Sequence, residues 1–579
     1  MDPQLEKKRR DRLAQEIGRE AKAWGGRLSV ALLFPNRYAH AMSNLGFQGV
    51  YGWLQQHDDC LCERFFLPER DELNLHQQKR LPLLSLESGR PVGDFDVLAI
   101  SLSFENDYLN LPQLFELMRL PLYVDQRTAH DPLVVGGGIC VLMNPEPVAD
   151  FFDLFAVGEA EVLMPALVEE LLSSRQRPAL LQNLSRHPGF YVPSAYDAEY
   201  DAQGRFVRLT ARDGACLPVR RQWLADLDTS ACRTLIHSPE ASFGRMRLVE
   251  VSRGCGRGCR FCATGFVYLP PREKAARTVL QQLNLQQMEG ETAGLVGAAV
   301  SDYSHIAEVA DAVCAAGGHI SVASLRIDSL TREQVRQLRE TGQKTLALAP
   351  EAGSQRLRDL INKNLTREQI LDAVTLLAEE GILHLKLYFL IGLPTESDED
   401  LTDLMTLVEE ARELWLDAQR PLGRLGTLTL SVNPFIPKAM TPFQWEAMAY
   451  PKVLKKRVAR LNQWVRRLAN VSLQVESLRS AELQALLSRG DRRLAAVIER
   501  MAHGENAAAA CREGGIALED ILYRQRSQQE PLPWDHLESG PGKEYLWKEY
   551  QRGLACQLTA PCHSGCRRCP VCRNENPTP

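Results

Sequence analysis

The sequence predicts an α/β protein in which two successive regions of alternating strands and helices are followed by a helical region and a cysteine-rich tail. Two observations carry this prediction. Short apolar runs that end at Pro, Asn or Gly alternate with helix-length segments in both regions, which is the pattern of parallel β/α units. The cysteines also concentrate in two tight groups, at 255–262 and 562–572.

The first region, 26–175, is predicted to form a doubly wound, Rossmann-like sheet. Its apolar runs have the length and the flanking residues of buried strands, and they are 27–34, 95–103, 132–135 and 152–157. Helical stretches lie between them, for instance at 43–56 and 111–119. Ligands of such sheets bind beyond the carboxyl ends of the strands. The loops at that edge run from Asn36 to Asn44, from Ser101 to Asp107 and from Gly136 to Cys140.

The second region, 246–445, is predicted to be a partial (β/α)6 barrel. Its strand candidates are 247–252, 294–300, 320–325, 344–349, 384–391 and 427–432, with helices at 273–289, 331–340, 366–380 and 398–414. The active site of such a barrel lies at the carboxyl ends of its strands. The other predicted segments are an N-terminal helix (1–25), a linker (176–245), a helical C-terminal region (446–550) and the cysteine-rich tail (551–579).

The composition is that of a soluble globular protein, with 45% hydrophobic and 24% charged residues. The formal net charge of −5 excludes a strong overall basic field, although it does not exclude a local basic patch. No apolar run reaches the roughly 18 residues of a membrane helix, and the charged N-terminus lacks the apolar core of a secretory signal. We therefore expect a cytoplasmic protein without membrane contact, whose clustered cysteines ligate metals instead of forming disulfides.

The first cysteine group has the spacing C-x3-C-x2-C and consists of Cys255, Cys259 and Cys262, directly after the first barrel strand. A cubane iron–sulfur cluster usually takes four thiolates, so three thiolates on one loop leave one iron open to another ligand. Glycines, among them Gly265, let such a loop wrap its cluster, and Phe261 is placed to shield it from water. A zinc knuckle would need a fourth Cys or His nearby, and the loop supplies none.

This loop resembles the motif of the radical S-adenosylmethionine (SAM) superfamily. The rest of the chain resembles the B12-binding radical SAM proteins in the stretches PNRYAHAMSNLGFQ (35–48), VVGGG (134–138), EVSRGCGRGCRFCATG (250–265), SVASLRID (321–328), LAPEAGSQRLR (348–358), LKLYFLIGLPTE (385–396) and SVNPFIPKAMTPFQW (431–445). The resemblance implies a [4Fe–4S] cluster whose open iron binds SAM. Reductive cleavage then yields methionine and a 5′-deoxyadenosyl radical, with electrons from a donor such as flavodoxin or ferredoxin.

The resemblance also implies residues that bind SAM. Ser324 and Arg326, at the end of the third barrel strand, match positions that hold the methionine part. Glu351 matches a partner of the ribose or the amino group, and the segment from Ile391 to Pro394 matches the stretch that packs against adenine. The alternatives are a surface salt bridge for Arg326 and an ordinary strand-to-helix turn for the segment from Ile391 to Pro394.

The resemblance further implies a cobalamin-binding fold for the N-terminal domain. The D-x-H-x-x-G motif, whose histidine ligates cobalt, is absent, and the nearest stretch, 39–46, does not match it. Many radical SAM relatives bind cobalamin without that histidine. The residues that match the nucleotide-binding loops are Asn44, Ser101, Ser103, Gly136, Gly137 and Gly138. The alternative is a Rossmann-like domain whose tight turns hold no ligand.

The second cysteine group, Cys562, Cys566, Cys569 and Cys572, places four thiolates within eleven residues. Such a group satisfies either a zinc ion or a second [4Fe–4S] cluster. The simplest role is a structural metal clip for the tail. The alternatives are an electron relay, or presentation of Arg567, Arg568 and Arg573 to RNA phosphates.

These observations predict a radical SAM enzyme, a transferase if cobalamin donates a methyl group to the substrate. The first alternative is a cobalamin-free enzyme of the methylthiotransferase or RNA-modifying kind. The second is a metal-stapled RNA-binding protein without enzymatic activity. The substrate class, whether RNA, protein or a small molecule, does not follow from the residues.

Overall fold

The computed structural model describes residues 2–174, 176–322, 325–340, 344–423, 425–563 and 565–572. The chain divides into two compact units. Unit 1 contains Met1–Leu248, Leu486–Leu518 and Gln529–Ser539, and unit 2 contains Val249–Ala485, Glu519–Gln528 and Gly540–Pro579. The predicted helical region, 446–550, therefore contributes to both units. None of the described helices has the length and apolar character needed to cross a membrane.

The strands in chain order are β1 (Leu28–Phe34), β2 (Cys60–Phe66), β3 (Val97–Ser101), β4 (Leu133–Gly137), β5 (Leu154–Ala156), β6 (Phe190–Tyr191), β7 (Tyr196–Tyr200), β8 (Phe206–Ala211), β9 (Val219–Arg220), β10 (Arg247–Glu250), β11 (Ser252–Arg253), β12 (Arg272–Glu273), β13 (Thr292–Val296), β14 (His319–Val322), β15 (Thr345–Glu351), β16 (His384–Ile391), β17 (Thr427–Pro434), β18 (Val471–Val475) and β19 (Leu537–Glu538). Every strand predicted for the two α/β regions is found, with ends shifted by a few residues.

The helices in chain order are α1 (Pro3–Gln15), α2 (Tyr38–Ala41), α3 (Leu45–Gln56), α4 (Arg70–Lys79), α5 (Leu111–Met118), α6 (Ile139–Met143), α7 (Ala160–Ser173), α8 (Arg177–Ser185), α9 (Thr264–Val267), α10 (Ala276–Leu283), α11 (Ile306–Ala315), α12 (Arg332–Glu340), α13 (Gln355–Leu360), α14 (Arg367–Glu379), α15 (Asp398–Gln419), α16 (Pro451–Val465), α17 (Leu478–Arg489), α18 (Leu494–Ala502), α19 (Ala507–Glu513), α20 (Leu518–Leu522) and α21 (Lys543–Leu554). The predicted linker, 176–245, contains α8 and β6–β9.

Unit 1 is built on a six-stranded sheet in the order β2-β1-β3-β4-β5-β6. The first five strands are parallel, and β6 pairs antiparallel with β5. All seven residues of β1 are buried, because helices cover both faces of a doubly wound sheet. The order reverses direction between β1 and β3, which is where such sheets bind their ligands. The Rossmann-like prediction is confirmed.

Strand β2 is missing from the sequence prediction because two of its central residues, Glu63 and Arg64, are charged. Both are buried. The Arg64 guanidinium lies 2.7 Å from the Glu16 carboxylate and 2.6 Å from that of Glu87, and all three side chains are at most 10% exposed. Glu63 accepts a hydrogen bond from the Trp24 indole at 2.8 Å. Paired charges of this kind are tolerated inside a fold, but a lone one is not.

Unit 2 contains a three-stranded sheet, β10-β13-β14, and a four-stranded sheet, β15-β16-β17-β18. The pairings β13–β14, β15–β16, β16–β17 and β17–β18 are all parallel. Helices alternate with these strands along the chain, which confirms the partial-barrel prediction. Strand β18 lies in the region predicted to be helical. Its alternately half-buried and exposed residues mark it as a short edge strand with little apolar signal.

Replacing Arg64 tests the buried charge cluster of unit 1. We expect Arg64→Met to destabilise unit 1 by about 3 kcal/mol, because the variant leaves Glu16 and Glu87 buried without their shared cation. Hydrogen exchange measured by mass spectrometry on peptides from β1 and β2 reports this change for unit 1 alone. The matched control is Arg10→Met, whose guanidinium is 74% exposed beside Glu6 and for which we expect a change below about 0.5 kcal/mol. Equal exchange in both variants would contradict the structural role of the cluster.

Candidate functional site

The loop that carries Cys255, Cys259 and Cys262 follows β10 and β11 and enters α9. Gly254 and Gly258 have φ values of +85° and +68°, in the left-handed region that favours glycine. At Gly254 a Cβ atom would lie 2.4 Å from the carbonyl oxygen of Tyr268. The chain therefore bends at two points that favour glycine, and this bending brings three cysteines of one short segment together.

The three thiols lie close to one another. Burial, with a smaller contribution from the neighbouring Cys262 and Cys255 thiols, raises the pKa of Cys259 to about 11. Burial also raises the pKa of Cys262. Within the described ranges, no three His, Cys, Asp or Glu side chains surround a single metal-ion position. The thiolates of a cubane bind separate irons, so three neighbouring cysteines on a glycine-rich loop fit a cluster of that kind.

Two other predicted residues lie on this loop. Phe261 is half-buried beside Cys262, as a partial shield would be. Gly265 is buried, and its N–H donates to the carbonyl of Cys262 at 3.2 Å. A Cβ atom on Gly265 would meet the carbonyl oxygen of Cys255 at 3.8 Å, which is ordinary van der Waals contact. Gly265 thus helps to close the loop on itself.

A group of four charges adjoins the loop. Arg257, between two of the cysteines, lies 2.6 Å from Asp302 and 3.4 Å from Asp328. Arg326 lies 3.3 Å from Asp302 and 2.8 Å from Asp328, so both arginines share the same two carboxylates. Arg326 is thus in an ion-pair network beside the cysteine loop. Ser324, predicted with it, lies outside the described residues.

Glu351 forms a buried ion pair beside the same loop. Its Oε1 lies 3.2 Å from Nζ of Lys363. Burial raises the pKa of Glu351, and the Lys363 ammonium partly offsets that effect. The same ammonium partly offsets the rise in the pKa of Cys259, so Lys363 acts on both the carboxylate and a cysteine of the triad. Sequence reasoning missed Lys363, because a lysine twelve residues after Glu351 carries no motif.

The segment from Ile391 to Pro394 is buried and begins at the last residue of β16. The turn has a φ of +82° at Gly392, whose N–H donates to Glu396 Oε2 at 2.5 Å. Burial raises the pKa of Glu396 to about 7, against the effect of the nearby Arg457. Glu396 and Arg457 were absent from the sequence prediction. Glu396 accepts a hydrogen bond from the turn and pairs with Arg457, so these two residues help to hold the backbone of the turn in place.

In unit 1, predicted residues meet at the carboxyl edge of the sheet. Nδ2 of Asn44 lies 3.3 Å from the Ser103 hydroxyl, which lies 3.5 Å from that of Ser101. A Cβ atom at Gly137 would meet no atom within 4 Å, so that position faces open space. These four residues surround the edge at which doubly wound sheets bind ligands.

The neighbouring glycines are tightly packed, and their role in ligand binding stays a prediction. A Cβ atom at Gly136 would lie 2.5 Å from the Phe155 ring, and one at Gly138 would lie 2.5 Å from the carbonyl oxygen of Leu102. Asp107 also lies at this edge and accepts a hydrogen bond from Nδ2 of Asn36 at 2.7 Å. Burial raises the pKa of Asp107 to about 6.

The cysteine-rich tail contacts the first cysteine loop in unit 2. The N–H of Cys562 donates to the carbonyl of Gly256 at 2.6 Å. Cys566 and Cys569 are buried, and Cys562 and Cys572 are partly exposed. Nε of Arg568 lies 3.3 Å from the Cys566 sulfur. Burial opposes ionisation of Cys566, but the hydrogen bonds and the charge of Arg568, with a hydrogen bond from Cys562, together outweigh it and lower the thiol's pKa.

Asn362 joins the loop to the tail. Its Nδ2 donates to the carbonyls of Arg257 and Gly258 at 3.1 Å each and to that of Thr559 at 3.2 Å. Its Oδ1 accepts from the N–H of Thr559 at 2.8 Å. The side chain is buried, so each of these bonds replaces a lost contact with water.

The chain matches two models of one superfamily. Residues 46–193 match the model described as "Radical SAM proteins, N-terminal", and residues 249–408 match "Radical SAM superfamily". The uncharacterized protein MJ0966 of Methanocaldococcus jannaschii is 28% identical over 476 residues, which are 81% of this chain and 90% of that protein.

Similar solved structures include the cobalamin-dependent S-adenosylmethionine radical enzyme OxsB. The form with aqua-cobalamin bound has a TM-score of 0.44 at 14% identity, over 66% of this chain and 52% of that one. The form with aqua-cobalamin and S-adenosylmethionine bound has a TM-score of 0.44 at 13% identity, over 86% of this chain and 64% of that one. The chain thus spans less than two thirds of the length of these two structures.

A matched pair of asparagine variants tests the link between loop and tail. We expect Asn362→Asp to lower the iron that the protein retains after anaerobic reconstitution by at least about half, because a carboxylate would face the three carbonyls that the amide now donates to. Limited proteolysis should cleave the tail of this variant faster. Asn364→Asp is the control, since Asn364 also has a positive φ, of +50°, but is exposed. Iron retention equal to that of the control would show that the link does not support the site.

Proposed function

Because the chain belongs to the radical SAM superfamily, we propose that it cleaves S-adenosylmethionine reductively at the loop of Cys255, Cys259 and Cys262. The resulting 5′-deoxyadenosyl radical would remove a hydrogen atom from a substrate. The single observation that carries this proposal is the loop geometry, in which glycine bends bring three neighbouring cysteines together at the carboxyl end of the first barrel strand. A [4Fe–4S] cluster bound there supplies one electron and an open iron for SAM.

The charges beside the loop suit the methionine part of SAM, which has an ammonium and a carboxylate. Arg257 and Arg326 offer guanidinium donors for the carboxylate. Asp302 and Asp328 neutralise these arginines and hold them in place, so that their orientation does not depend on the ligand. We propose that Arg326 contacts the ligand. Arg257, which lies within the cysteine loop, positions Arg326 through the two carboxylates that they share.

Glu351 and the turn from Ile391 to Pro394 suit the nucleoside part. A carboxylate accepts hydrogen bonds from ribose hydroxyls or from the amino group, and the ion pair with Lys363 favours the charged form of Glu351 against the effect of burial. The buried turn presents apolar atoms to a flat base, with Glu396 holding its backbone. One-electron reduction would come from a donor such as flavodoxin or ferredoxin.

For the substrate reaction we propose cobalamin-dependent methyl transfer. The support comes from unit 1, where Asn44, Ser101, Ser103 and Gly137 surround the switch point of a doubly wound sheet. When bound, cobalamin supplies the methyl group. These residues would only bind and orient it, because the chain lacks the D-x-H-x-x-G histidine.

A cobalamin-free reaction of the methylthiotransferase or RNA-modifying kind is the second candidate. The contact between Cys562 and Gly256 favours it, because this contact holds further thiols beside the catalytic loop. Corrinoid binding separates the two candidates.

Cleavage of SAM tests the main proposal. We expect Cys255→Ala to reduce the formation of 5′-deoxyadenosine from SAM and dithionite to the level of the protein-free reaction, because two thiolates hold a three-point cluster poorly. Anaerobic assays with product quantification by liquid chromatography measure this. Cys314→Ala is the matched control in the same unit, since Cys314 is exposed on α11, and it should retain wild-type turnover. Turnover by Cys255→Ala equal to that of the control would refute the proposal.

A pair of glycine variants tests cobalamin binding. We expect Gly137→Val to weaken hydroxocobalamin binding at least about tenfold, because its side chain enters open space at the ligand edge without a clash in the protein. Gly93→Val is the control. Gly93 also faces open space, but it precedes β3 and so lies near the amino end of that strand, whereas Gly137 lies at the carboxyl end of β4. Equilibrium dialysis with absorbance detection gives both dissociation constants. Absence of binding by the wild type would favour the cobalamin-free candidate.

A further inference from the structure

The tail runs back to the cysteine loop after α21 ends. Nη2 of Arg260 donates to the carbonyl of Gln557 at 2.7 Å and lies 3.2 Å from the Thr559 hydroxyl. Further on, Cys562 pairs with Gly256 through the backbone. A Cβ atom at Gly256 would lie 2.6 Å from the carbonyl oxygen of Cys562, so the close approach requires glycine there. The two cysteine groups are therefore in direct contact.

This contact rests on a buried charge. The Arg260 side chain is completely buried, and its Nη2 lies 3.2 Å from the Glu549 carboxylate on α21. Its Nη1 donates to the carbonyls of Asp359 and Leu360 at 3.0 Å and 2.9 Å. Arg260, a residue of the cysteine loop, thus contacts α13, α21 and the tail at the same time. Because a buried guanidinium is costly unless its donors find partners, the contacts of Nη1 and Nη2 favour one position of the tail.

The tail cysteines have the spacing of iron–sulfur ligands. The intervals of three, two and two residues all fall on one short segment, like the tight runs that hold cubanes in ferredoxins. Structural zinc sites more often take their ligands as two pairs separated by a longer loop. Two of these thiols are buried, and Arg568 hydrogen-bonds to one of them, as donors around cluster sulfurs do.

We propose that Cys562, Cys566, Cys569 and Cys572 hold a second [4Fe–4S] cluster in contact with the loop of the first, and that it relays electrons to that loop. The hydrogen bond between Cys562 and Gly256 limits the distance between the Cα atoms of Cys562 and Cys255 to roughly 11 Å. The proposal rests on the proposed function, since the relay needs the first cluster as its acceptor.

The relay balances as two one-electron steps. A donor protein of the flavodoxin or ferredoxin class reduces the tail cluster from the 2+ to the 1+ state and is itself oxidised by one electron. The tail cluster then returns to 2+ as the first cluster goes from 2+ to 1+. No proton is transferred and no covalent bond is formed or broken before SAM is cleaved. The protein's contribution is to hold the two ligand sets against each other.

Metal analysis of the anaerobically reconstituted full-length protein tests the second site. We expect about eight irons and eight sulfides per chain in the wild type and about four of each in the double variant Cys566→Ser/Cys569→Ser. Cys556→Ser is the matched control from the same tail and should keep about eight. A wild-type content of about four irons with one zinc would overturn the proposal. This outcome is measured on the wild type, so it does not depend on the folding of a variant.

The triple variant Cys255→Ala/Cys259→Ala/Cys262→Ala separates this inference from the proposed function. It should retain about four irons, which belong to the tail. Iron that stays at about eight in the triple variant contradicts the proposed function. Iron that stays at about eight in the tail double variant contradicts the second site.

Two measurements test the contact and the relay. Electron paramagnetic resonance of the dithionite-reduced wild type should show broadened, fast-relaxing signals that differ from the sum of the spectra of the two variants. In stopped-flow experiments with reduced flavodoxin, the first cluster should be reduced at least about tenfold more slowly in the tail double variant than in Cys556→Ser. Additive spectra would overturn the contact between the clusters, and equal rates would overturn the relay.

Discussion

The side-chain amide of Asn362 is the interaction on which the candidate site depends. It donates to two carbonyls of the cysteine loop and to one of the tail, and it also accepts from the tail backbone. A glycine-rich loop has little structure of its own, because each glycine increases the freedom of the unfolded chain. Buried hydrogen bonds from outside the loop supply the order that its own residues lack. The positions of the three cysteines therefore depend on the segment after α13, which contains Asn362.

Compensated charge is the second principle of this site. Arg257 and Arg326 share Asp302 and Asp328, while Lys363 pairs with Glu351. Each cation is held by carboxylates of this chain, so the charges keep their orientation and their mutual attraction offsets part of the cost of desolvation. A site of this kind presents fixed dipoles to a zwitterionic ligand and needs little reorganisation when the ligand arrives. Unit 1 has a related arrangement in its core, where Arg64 pairs with the buried side chains of two glutamates.

Sequence patterns predicted most strands because buried parallel strands are largely apolar runs, as in β1, or alternate between buried and more exposed residues, as in β16. They failed at β2, where the charges of Glu63 and Arg64 hid a strand whose seven residues are all buried. They also failed at Lys363 and Glu396, which support the site through contacts that no local motif encodes. Burial and pairing of a charge depend on residues distant in sequence, and a local pattern does not report them.

By itself, the sequence determined the triad, since the intervals between Cys255, Cys259 and Cys262 and the glycines among them are local properties of one loop. It also determined the doubly wound and barrel architectures, because strand and helix periodicity is local. Only the tertiary structure decided that the tail lies against this loop. Cys562 and Gly256 are about 300 residues apart, and their contact depends on how Arg260 and α21 pack. Local spacing specifies a set of ligands, whereas the long-range packing of a buried charge specifies what lies beside it.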